Sequence, residues 1–393
     1  MKNGLTMKTV VCVLLPLLLA GCSRQHFPQY PADYREFAYV TNGGSNTVTV
    51  LDLVNLRQDR VLAVGAEPAG VAVNPARNEV YVVNSGGGSV SVIDAEKNRV
   101  VATIPVHRKP YFIDVDTTGR RAYVANSGSN NVSVIDLDKR REIVAIGVGE
   151  APGLVRISPD GGSLVVTNRM SGSVSVIDPT TFKVRAVFSG CPQATHAVIL
   201  PDSSKAFIAC SGGHQVMAIG LARPSSPIDS EHADRLLSFL DVGKTPVFLA
   251  LKPDGGEIFV LNFDSDSISE IATGTNEVGG AHLVGAHPSY GIVSADNAFL
   301  WISNFNADSI GVFSIDDGKL LPNSVRVGGG PDALTFSANG FLLLAANARS
   351  GDVSAVRTQS YESNGAVRMG SLFTMLPAGK RPNGIAVKAF RVK

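Results

Sequence analysis

Short runs in which small polar residues alternate with valine or isoleucine recur along most of the chain. The run at 89–94 (SVSVID) and its counterparts at 131–136 and 173–178 have the two-residue period of a half-buried β-strand. More continuously apolar runs, such as 79–84 (EVYVVN), precede them, and residues typical of turns separate the two. No segment shows a sustained 3.6-residue period, so the sequence predicts an all-β fold.

These strands belong to a repeating unit of about forty residues. In the second unit we predict four strands, A to D from the inside outwards, at 70–75, 79–84, 89–94 and 99–106. The stretch that opens with strand B, written YVTNGGSNTVTVLDL in its first copy, begins at residues 39, 81, 123, 165, 207, 259, 301 and 344. Four short antiparallel strands repeated at this spacing predict the blades of a β-propeller.

The two ends of the repeat indicate how the ring closes. The first copy has no strand A before it, whereas the last segment, 382–387 (PNGIAV), is a strand A with nothing after it. We therefore predict a single propeller over 36–393, with eight blades and with the C-terminal strand completing the first blade. Seven blades are the alternative if the copy at 344 is irregular. About ten additional residues near 222–233 should lengthen one loop between strands C and D.

The N-terminus has the pattern of an export signal. Lys2 and Lys8 precede an apolar run from Val10 to Ala20, which is too short to span a bilayer. The run ends in LAGC, which resembles a bacterial lipobox with Cys22 as the lipidated residue. The sequence thus predicts a signal peptide over 1–21 and a tether over 22–35, with an ordinary signal peptide as the alternative. By resemblance to Gram-negative sorting, Ser23 favours the outer membrane facing the periplasm; the cell surface is the other expected location.

The repeated YVTN stretch resembles the YVTN family of β-propeller repeats, over about residues 36–390. That resemblance implies the fold and export. The family includes surface-layer proteins among its members. Related propellers include a quinohaemoprotein dehydrogenase subunit, the haem-binding domain of periplasmic nitrite reductase, sugar-lactone hydrolases and adhesive modules. No catalytic motif of these proteins maps onto this chain, and a propeller fold does not by itself define a function.

Two recurrent polar residues are interpreted as structural. The Asn that ends strand B recurs in seven of the eight units, and we expect its side chain to bond the adjacent backbone turn. The Asp that ends strand C, at Asp52, Asp94, Asp136 and Asp178, is expected to cap the following turn. Neither set predicts a ring of ligands or acid catalysis.

Candidate ligand-binding residues lie where the copies differ. The loops before strand A and between strands B and C should emerge on one face, around the mouth of the central channel, and four of the seven histidines lie there or in the adjoining channel wall. The candidate ligand face comprises His107, Arg108, His196, His214, His287, Tyr290 and Arg381. A concave mouth with cationic groups favours an anionic ligand. A solvated loop face without a small ligand is the alternative.

The two cysteines besides Cys22 in the mature chain fall in one unit. Cys191 precedes strand A, and Cys210 ends strand B in place of the usual Asn. Neighbouring antiparallel strands bring both to the same end of a hairpin, and an exported compartment permits oxidation, so a disulfide is predicted. A zinc site that adds His196 and His214, or a pair of free thiols, are alternatives. The spaced oxygen ligands of 262–267 and 304–309 hint at calcium but lack an EF-hand's length and final Glu.

Charge and motif content leave two main functional hypotheses. Lys and Arg total 35 against 34 Asp and Glu, which argues against nucleic acid as a partner. The first hypothesis is a non-enzymatic, lipid-anchored module that binds a protein partner or an anionic small ligand at the channel mouth. The second is a periplasmic enzyme or a haem- or quinone-associated protein using His107, His196 and His287. Lactone hydrolysis through Glu67, Glu150, Arg108 and Arg381 is a weaker third; no cofactor or metal is assigned.

Overall fold

A computed structural model describes residues 27–222, 233–361 and 367–392. In this part of the chain, eight antiparallel sheets of at least four strands follow one another around a ring, as the repeat predicted. The signal peptide, Cys22 and the core of the insertion near 222–233 lie outside the described residues. Within those ranges there is no helix that is both long enough and apolar enough to cross a bilayer.

The strands follow the predicted order, with A innermost and D outermost in each blade. The A strands of blades 1 to 8 are Pro382–Arg391, Pro68–Val73, Pro110–Val115, Pro152–Ile157, Ala194–Ile199, Pro246–Leu251, Pro288–Val293 and Pro331–Phe336. The B strands are Tyr34–Asn42, Glu79–Asn84, Arg121–Asn126, Leu164–Asn168, Lys205–Cys210, Glu257–Asn262, Phe299–Asn304 and Leu342–Asn347. The C strands are Thr47–Asp52, Ser89–Asp94, Asn131–Asp136, Ser173–Asp178, Gln215–Gly220, Ser267–Ala272, Ser309–Ser314 and Asp352–Tyr361.

The D strands complete the sheets with one interruption. They are Arg57–Ala63, Arg99–Pro105, Arg141–Gly147, Lys183–Ser189, Arg235–Asp241, Glu277–Leu283, the pair Lys319–Leu320 and Val325–Arg326, and Val367–Pro377. The interrupted strand belongs to blade 7. Strand D of blade 8 packs closely against it at Gly370. A Cβ at Gly370 would lie 2.7 Å from Val325 and 3.3 Å from Trp301. A 3₁₀ turn, Phe263–Ser265, lies in the B–C loop of blade 6.

The C-terminal strand closes the ring, which confirms the prediction. Strand A of blade 1 pairs with strand B from Tyr34 opposite Arg391 to Asn42 opposite Pro382. The copy at 344 also forms a regular blade, so the ring has eight blades and not seven. The folded region begins a little earlier than residue 36, since strand B of blade 1 starts at Tyr34.

The core lies between neighbouring blades. The aromatic residue of strand B is fully buried there in most blades, as with Tyr39, which packs with Val80 and Val82 of the next blade. Removing one such side chain from water contributes about 1.5–3 kcal/mol. Because each blade presents an apolar face to both neighbours, the repeat itself supplies a continuous core around the ring.

The recurrent Asn joins strands B and C through side chains, which differs from the predicted bond to the backbone turn. Asn84 Nδ2 donates to Ser89 Oγ and Ser91 Oγ, each at 3.0 Å. A Cβ at Gly65, in the loop before strand A, would lie 2.6 Å from Asn84 Cγ, so glycine lets this loop lie directly against the amide in blade 2. The Asp at the end of strand C caps its turn as predicted: the Val54 N–H donates to Asp52 Oδ1 at 3.0 Å.

Candidate ligand-binding channel

The two sets of loops that differ most between copies share one face of the ring, here called the mouth face. In blade 2 the Ser85 and Gly86 N–H groups donate to the Glu67 and Ala66 carbonyl oxygens, at 2.9 and 3.0 Å. These bonds tie the B–C loop to the loop before strand A. A surface depression of about 1110 Å³ lies on this face between blades 2 and 3, and its lining includes His107 and Arg108.

His214 occupies a position with a local structural role. Its Nδ1 accepts a bond from the Thr245 N–H at 3.3 Å. In other blades an Asn or Asp side chain accepts the equivalent N–H, and these residues are Asn46, Asn130, Asp266 and Asp308. His214 therefore connects two loops as these residues do, which accounts for its place on the mouth face without a ligand.

His287 and Arg381 also stand at a conformational position that every blade repeats. Both have a left-handed backbone, with φ of 55° and 53°. The same conformation occurs just before strand A in the other six blades, at Glu67, Lys109, Ala151, Gln193, Thr245 and Gly330. The His287 ring packs edge-on against Phe263 at 4.5 Å, and its Nδ1 is 3.0 Å from Asn306 Nδ2.

His107 points away from the channel. Its Nε2 lies 3.2 Å from Glu142 Oε1, on the outermost strand of blade 3. Arg108 is exposed, and the structure uses its backbone, whose N–H donates to Ser129 Oγ at 3.1 Å. The four mouth-face or channel histidines therefore each have a different partner, and none of these contacts joins one histidine to another.

His196 and Tyr290 belong to a ladder of rings on the channel wall. The third residue of strand A is His196 in blade 5, Phe248 in blade 6 and Tyr290 in blade 7. The His196 and Phe248 rings stack with centroids 4.0 Å apart, and Phe248 and Tyr290 lie 4.1 Å apart. Three adjacent blades thus present one continuous aromatic surface where the sequence comparison predicted channel-lining positions.

Arg156 extends this surface and was not among the predicted residues. It is the fifth residue of strand A in blade 4, and its guanidinium carbon lies 4.8 Å from the centre of the Phe112 ring. Its Nη1 is 3.8 Å from Asp114 Oδ1, which is a loose ion pair. Besides the effect of burial, the Arg156 charge also lowers the pKa values of His196 and Tyr290.

Asp114 is hydrogen-bonded by two backbone N–H groups, in addition to its loose ion pair with Arg156. The Ile157 and Val115 N–H groups donate to its two oxygens at 3.0 and 3.1 Å. Burial raises the pKa of Asp114, and Arg156 and these bonds offset part of that effect. Because the carboxylate is fixed in this way, much of the guanidinium's donor capacity is left for another acceptor in the channel.

The opposite wall of the channel is lined by small residues. At the third and fifth positions of strand A, blades 8, 1 and 2 carry only Ala, Thr or Gly: Ala333, Thr335, Gly384, Ala386, Gly70 and Ala72. Bulky groups are confined to blades 3 to 7. The glycines on this side fit closely against the neighbouring strand A, since a Cβ at Gly70 would lie 2.9 Å from the Tyr111 carbonyl oxygen and a Cβ at Gly384 would lie 2.9 Å from that of Ala69.

His196 is a neutral imidazole in this structure. Burial, assisted by the Arg156 charge, holds the pKa of His196 well below its ordinary value. Its Nδ1 accepts from the Leu249 N–H at 3.3 Å, which leaves the proton on Nε2. A neutral imidazole in this tautomer has no free nitrogen lone pair for a metal, so His196 acts here as a flat wall and a hydrogen-bond donor.

The unfolding free energy should depend on pH through His196. In the unfolded chain His196 protonates at about pH 6.5, whereas the folded chain keeps it neutral to a lower pH. The unfolded state therefore binds the extra proton, and stability should fall below about pH 6.5 by up to about 1.4 kcal/mol per pH unit. The raised pKa of Asp114 acts in the opposite direction at lower pH.

Urea unfolding over this pH range would measure the effect. His196→Gln, which cannot gain the charge, should flatten the slope below about pH 6.5. His214→Asn installs the residue that blades 1 and 3 use at that position and should keep the wild-type slope. Equal slopes in the wild type and His196→Gln would contradict the assignment.

The structure joins Cys191 and Cys210 through a disulfide at the top of blade 5. The two sulfurs are 2.04 Å apart, and both residues are fully buried. They replace the Gly and Asn that pack together in other blades. The sulfurs thus bond to each other, and His196 and His214 have the separate partners described above.

The oxygen-rich B–C loops also use their carboxylates internally. Asp266 and Asp308 each accept a backbone N–H at 2.8 Å, and Asp264 accepts from Thr245 Oγ1 at 2.5 Å. Within the described ranges, no group of three or more His, Cys, Asp or Glu side chains is placed to hold a metal ion. Glu67, Glu150, Arg108 and Arg381, considered for lactone hydrolysis, lie on loops of different blades.

The fold and this channel define an eight-bladed propeller with one aromatic and cationic wall. A family model for YNCE-like β-propellers matches residues 27–156 and 122–367. The two matches together cover most of the chain, so it belongs to the YNCE-like β-propeller family, consistent with the YVTN resemblance. No curated protein matches it.

Solved structures share the fold at low sequence identity. A dihydro-haem d1 dehydrogenase, NirN, solved in complex with DHE, superposes with a TM-score of 0.70 at 16% identity, over 93% of this chain and 77% of the other. Hydrazine synthase of Kuenenia stuttgartiensis gives 0.56 at 21%, over 70% and 91%. A putative 6-phosphogluconolactonase of Bacteroides fragilis gives 0.57 at 17%, over 77% and 97%. At these identities the likeness establishes the fold alone.

Proposed function

We propose that this propeller is a binding module whose channel takes a flat, anionic small molecule. The observation that carries the proposal is the ladder of rings formed by His196, Phe248 and Tyr290, together with Arg156 over the Phe112 ring in the two preceding blades. A planar ligand would stack on the rings, and its anionic group would accept hydrogen bonds from Arg156. The ligand would lie on the side of the channel formed by blades 3 to 7, which carries the bulky side chains at the third and fifth positions of strand A.

Titration with 8-anilinonaphthalene-1-sulfonate, a flat sulfonate, tests this idea. We expect saturable binding of one probe per chain, followed by fluorescence and calorimetry. Arg156→Met keeps the side-chain length but removes the charge, and a hydrogen bond to a charged group is worth about 1.5–3 kcal/mol. The dissociation constant should therefore rise about 10- to 100-fold.

Two controls make the result specific to the channel. Arg169→Met removes an exposed arginine from the mouth-face loop of the same blade and should leave the dissociation constant unchanged. Phe248→Leu should weaken binding through lost stacking while keeping the charge. Probe binding that is unsaturable, or equal in the wild type and Arg156→Met, would contradict the proposal.

The anchor and location belong to the same proposal. The lipobox pattern supports lipidation of Cys22 and attachment to the outer membrane on the periplasmic side, with the cell surface as the other location. A protein partner at the mouth face is compatible with the exposed loops there, and no nucleic acid is expected. Mass spectrometry of the mature N-terminus, with a Cys22→Ser variant as control, tests the anchor.

A cofactor-associated role is the second candidate. NirN was solved in complex with DHE, and a flat anionic pigment would suit the same aromatic and cationic wall. In the wild-type tautomer His196 would contact such a pigment without ligating it. A visible absorption spectrum of protein purified from its own host's membranes tests this role. Visible bands of near-stoichiometric strength would favour the cofactor-associated role if Arg156→Met removes them. A colourless protein would contradict this role and leave a colourless anionic ligand as the proposal.

A further inference from the structure

The segment that follows Cys22 is fastened to the face opposite the mouth. The Phe27 ring lies 5.3 Å from Phe341 and 4.8 Å from Phe373, centre to centre. The Arg357 guanidinium lies over both the Phe27 and Phe373 rings, at 4.8 and 4.4 Å. Phe341 immediately follows the turn between strands A and B of blade 8, which places Phe27 at the edge of the face that carries these turns, here called the base face.

A second group of contacts continues this attachment toward blade 1. Tyr30 stacks on Tyr34 with centroids 4.9 Å apart, and its hydroxyl accepts from Asn339 Nδ2 at 3.1 Å. The fully buried Glu36 accepts from the Ala338 N–H at 2.6 Å and from the Tyr34 hydroxyl at 2.8 Å. The chain thus leaves the propeller at the base face of blades 8 and 1, although residues 27–33 fall within the predicted tether.

The distance from this exit to the lipid attachment is short. Four residues lie between Cys22 and Phe27, so the two are five residue steps apart, which span at most about 18 Å. Beside Phe27, Leu372, Phe373 and Met375 of the outer strand of blade 8 are 42%, 41% and 44% exposed. A lipid on Cys22 would therefore hold this apolar edge of the propeller close to the bilayer.

The A–B turns on the base face differ in charge from blade to blade. The A–B turns of blades 4, 5, 6 and 7 each carry an exposed aspartate: Asp160, Asp202, Asp254 and Asp296. The matching residues of blades 8, 2 and 3 are Asn339, Ala76 and Thr118, which have no charge. An anionic lipid surface repels carboxylates, so the A–B turns of blades 8, 2 and 3 would be tolerated there better than those of blades 4 to 7.

From these contacts we infer that the base face at blades 8 and 1 is the membrane-facing surface of the protein. The mouth face and the channel opening on it then point away from the bilayer, and blades 4 to 7 tilt away from it. The inference rests on the lipid anchor proposed above. It deepens that proposal by fixing which surface is left open to a ligand or partner.

Energy transfer to the bilayer surface tests the orientation. Variants of the full, lipidated protein with one added cysteine each would carry a donor dye. Ala338→Cys places the dye on the base face of blade 8, and Arg349→Cys places it on the mouth face of the same blade. Asp254→Cys places it on the base face of blade 6. Cys191 and Cys210 are buried and bonded to each other, so the dye goes to the added cysteine. Vesicles of phosphatidylethanolamine and phosphatidylglycerol would carry an acceptor on the headgroups.

Transfer should be greatest from 338, smaller from 254 and least from 349. The variant Phe27→Ala/Tyr30→Ala, with its fold checked by thermal unfolding, should lose most of the difference between 338 and 349. Equal transfer from those two sites, greater transfer from 349, or an unchanged difference in the double variant overturns the orientation alone. Wild-type protein that does not associate with vesicles overturns the anchor, and the orientation with it.

Discussion

Deletion of residues 379–393 is expected to abolish cooperative unfolding of the protein. The deletion removes strand A of blade 1, which pairs with strand B over nine residues, from Tyr34 to Asn42. It also uncovers the core on both sides of blade 1, where Ile385, Val387 and Phe390 pack. A domain's net stability is only about 5–15 kcal/mol, and burial of one large apolar side chain contributes about 1.5–3 kcal/mol. The loss should therefore exceed what the ring can tolerate.

Circular dichroism during heating and size-exclusion chromatography would measure this result. Removal of residues 392–393 alone is the matched control; it keeps the whole strand, costs the bond from the Val392 N–H to the Asp33 carbonyl oxygen, and should lower the melting temperature only slightly. A synthetic peptide of residues 379–393 should bind the truncated chain by adding the missing strand and restore a cooperative transition. A truncated chain that melts cooperatively at the wild-type temperature would show that closure contributes little.

The architecture could be predicted because each blade restates the same local rules. Turn residues, alternating strands and the Gly–Asn pair recur at a fixed spacing. A strand that is unclear in one repeat can therefore be assigned from the same position in the others. The closure followed from a count of strands A and B at the two ends. The repeat could not predict that Phe27 and Tyr30 attach to blade 8. These two residues lie outside the repeat, and their partners Phe341 and Asn339 are distant in sequence.

The candidate site was predicted less well, for a reason visible in the alignment of the repeats. Attention to loops selected His214, His287 and Arg381, whose positions serve the turn in every blade. Arg156 and Asp114 lie at the fifth position of strand A, where the other blades have Ala, Val, Ile or Thr. A comparison of that position alone would have found the only two charged residues in it. Which way His107 turns was decided by Glu142, a partner that the sequence does not mark.

Removal of the disulfide in blade 5 is the second large effect expected. Closing a loop of about twenty residues stabilises a protein by about 3 kcal/mol in the chain-entropy model. Cys191→Ala/Cys210→Ala should lower the free energy of unfolding by about that amount, with a further cost for the cavity. Peptide mapping without reductant should first recover the 191–210 linked pair from the wild type, and urea unfolding with and without reductant should reproduce the loss.

The consensus pair of the other blades should not rescue this one. Cys191→Gly/Cys210→Asn restores the glycine and the amide, but Met217 stands where blade 2 has Ser91 as the second acceptor. One amide hydrogen of the buried Asn would then lack its partner, at a cost of about 1–3 kcal/mol. We therefore expect this variant to be less stable than the alanine pair. A consensus pair as stable as the wild type would contradict this expectation, because Met217 would then not leave the Asn amide without a partner at any cost. Free thiols in the unfolded wild type would show that Cys191 and Cys210 are not bonded, and would contradict the disulfide itself.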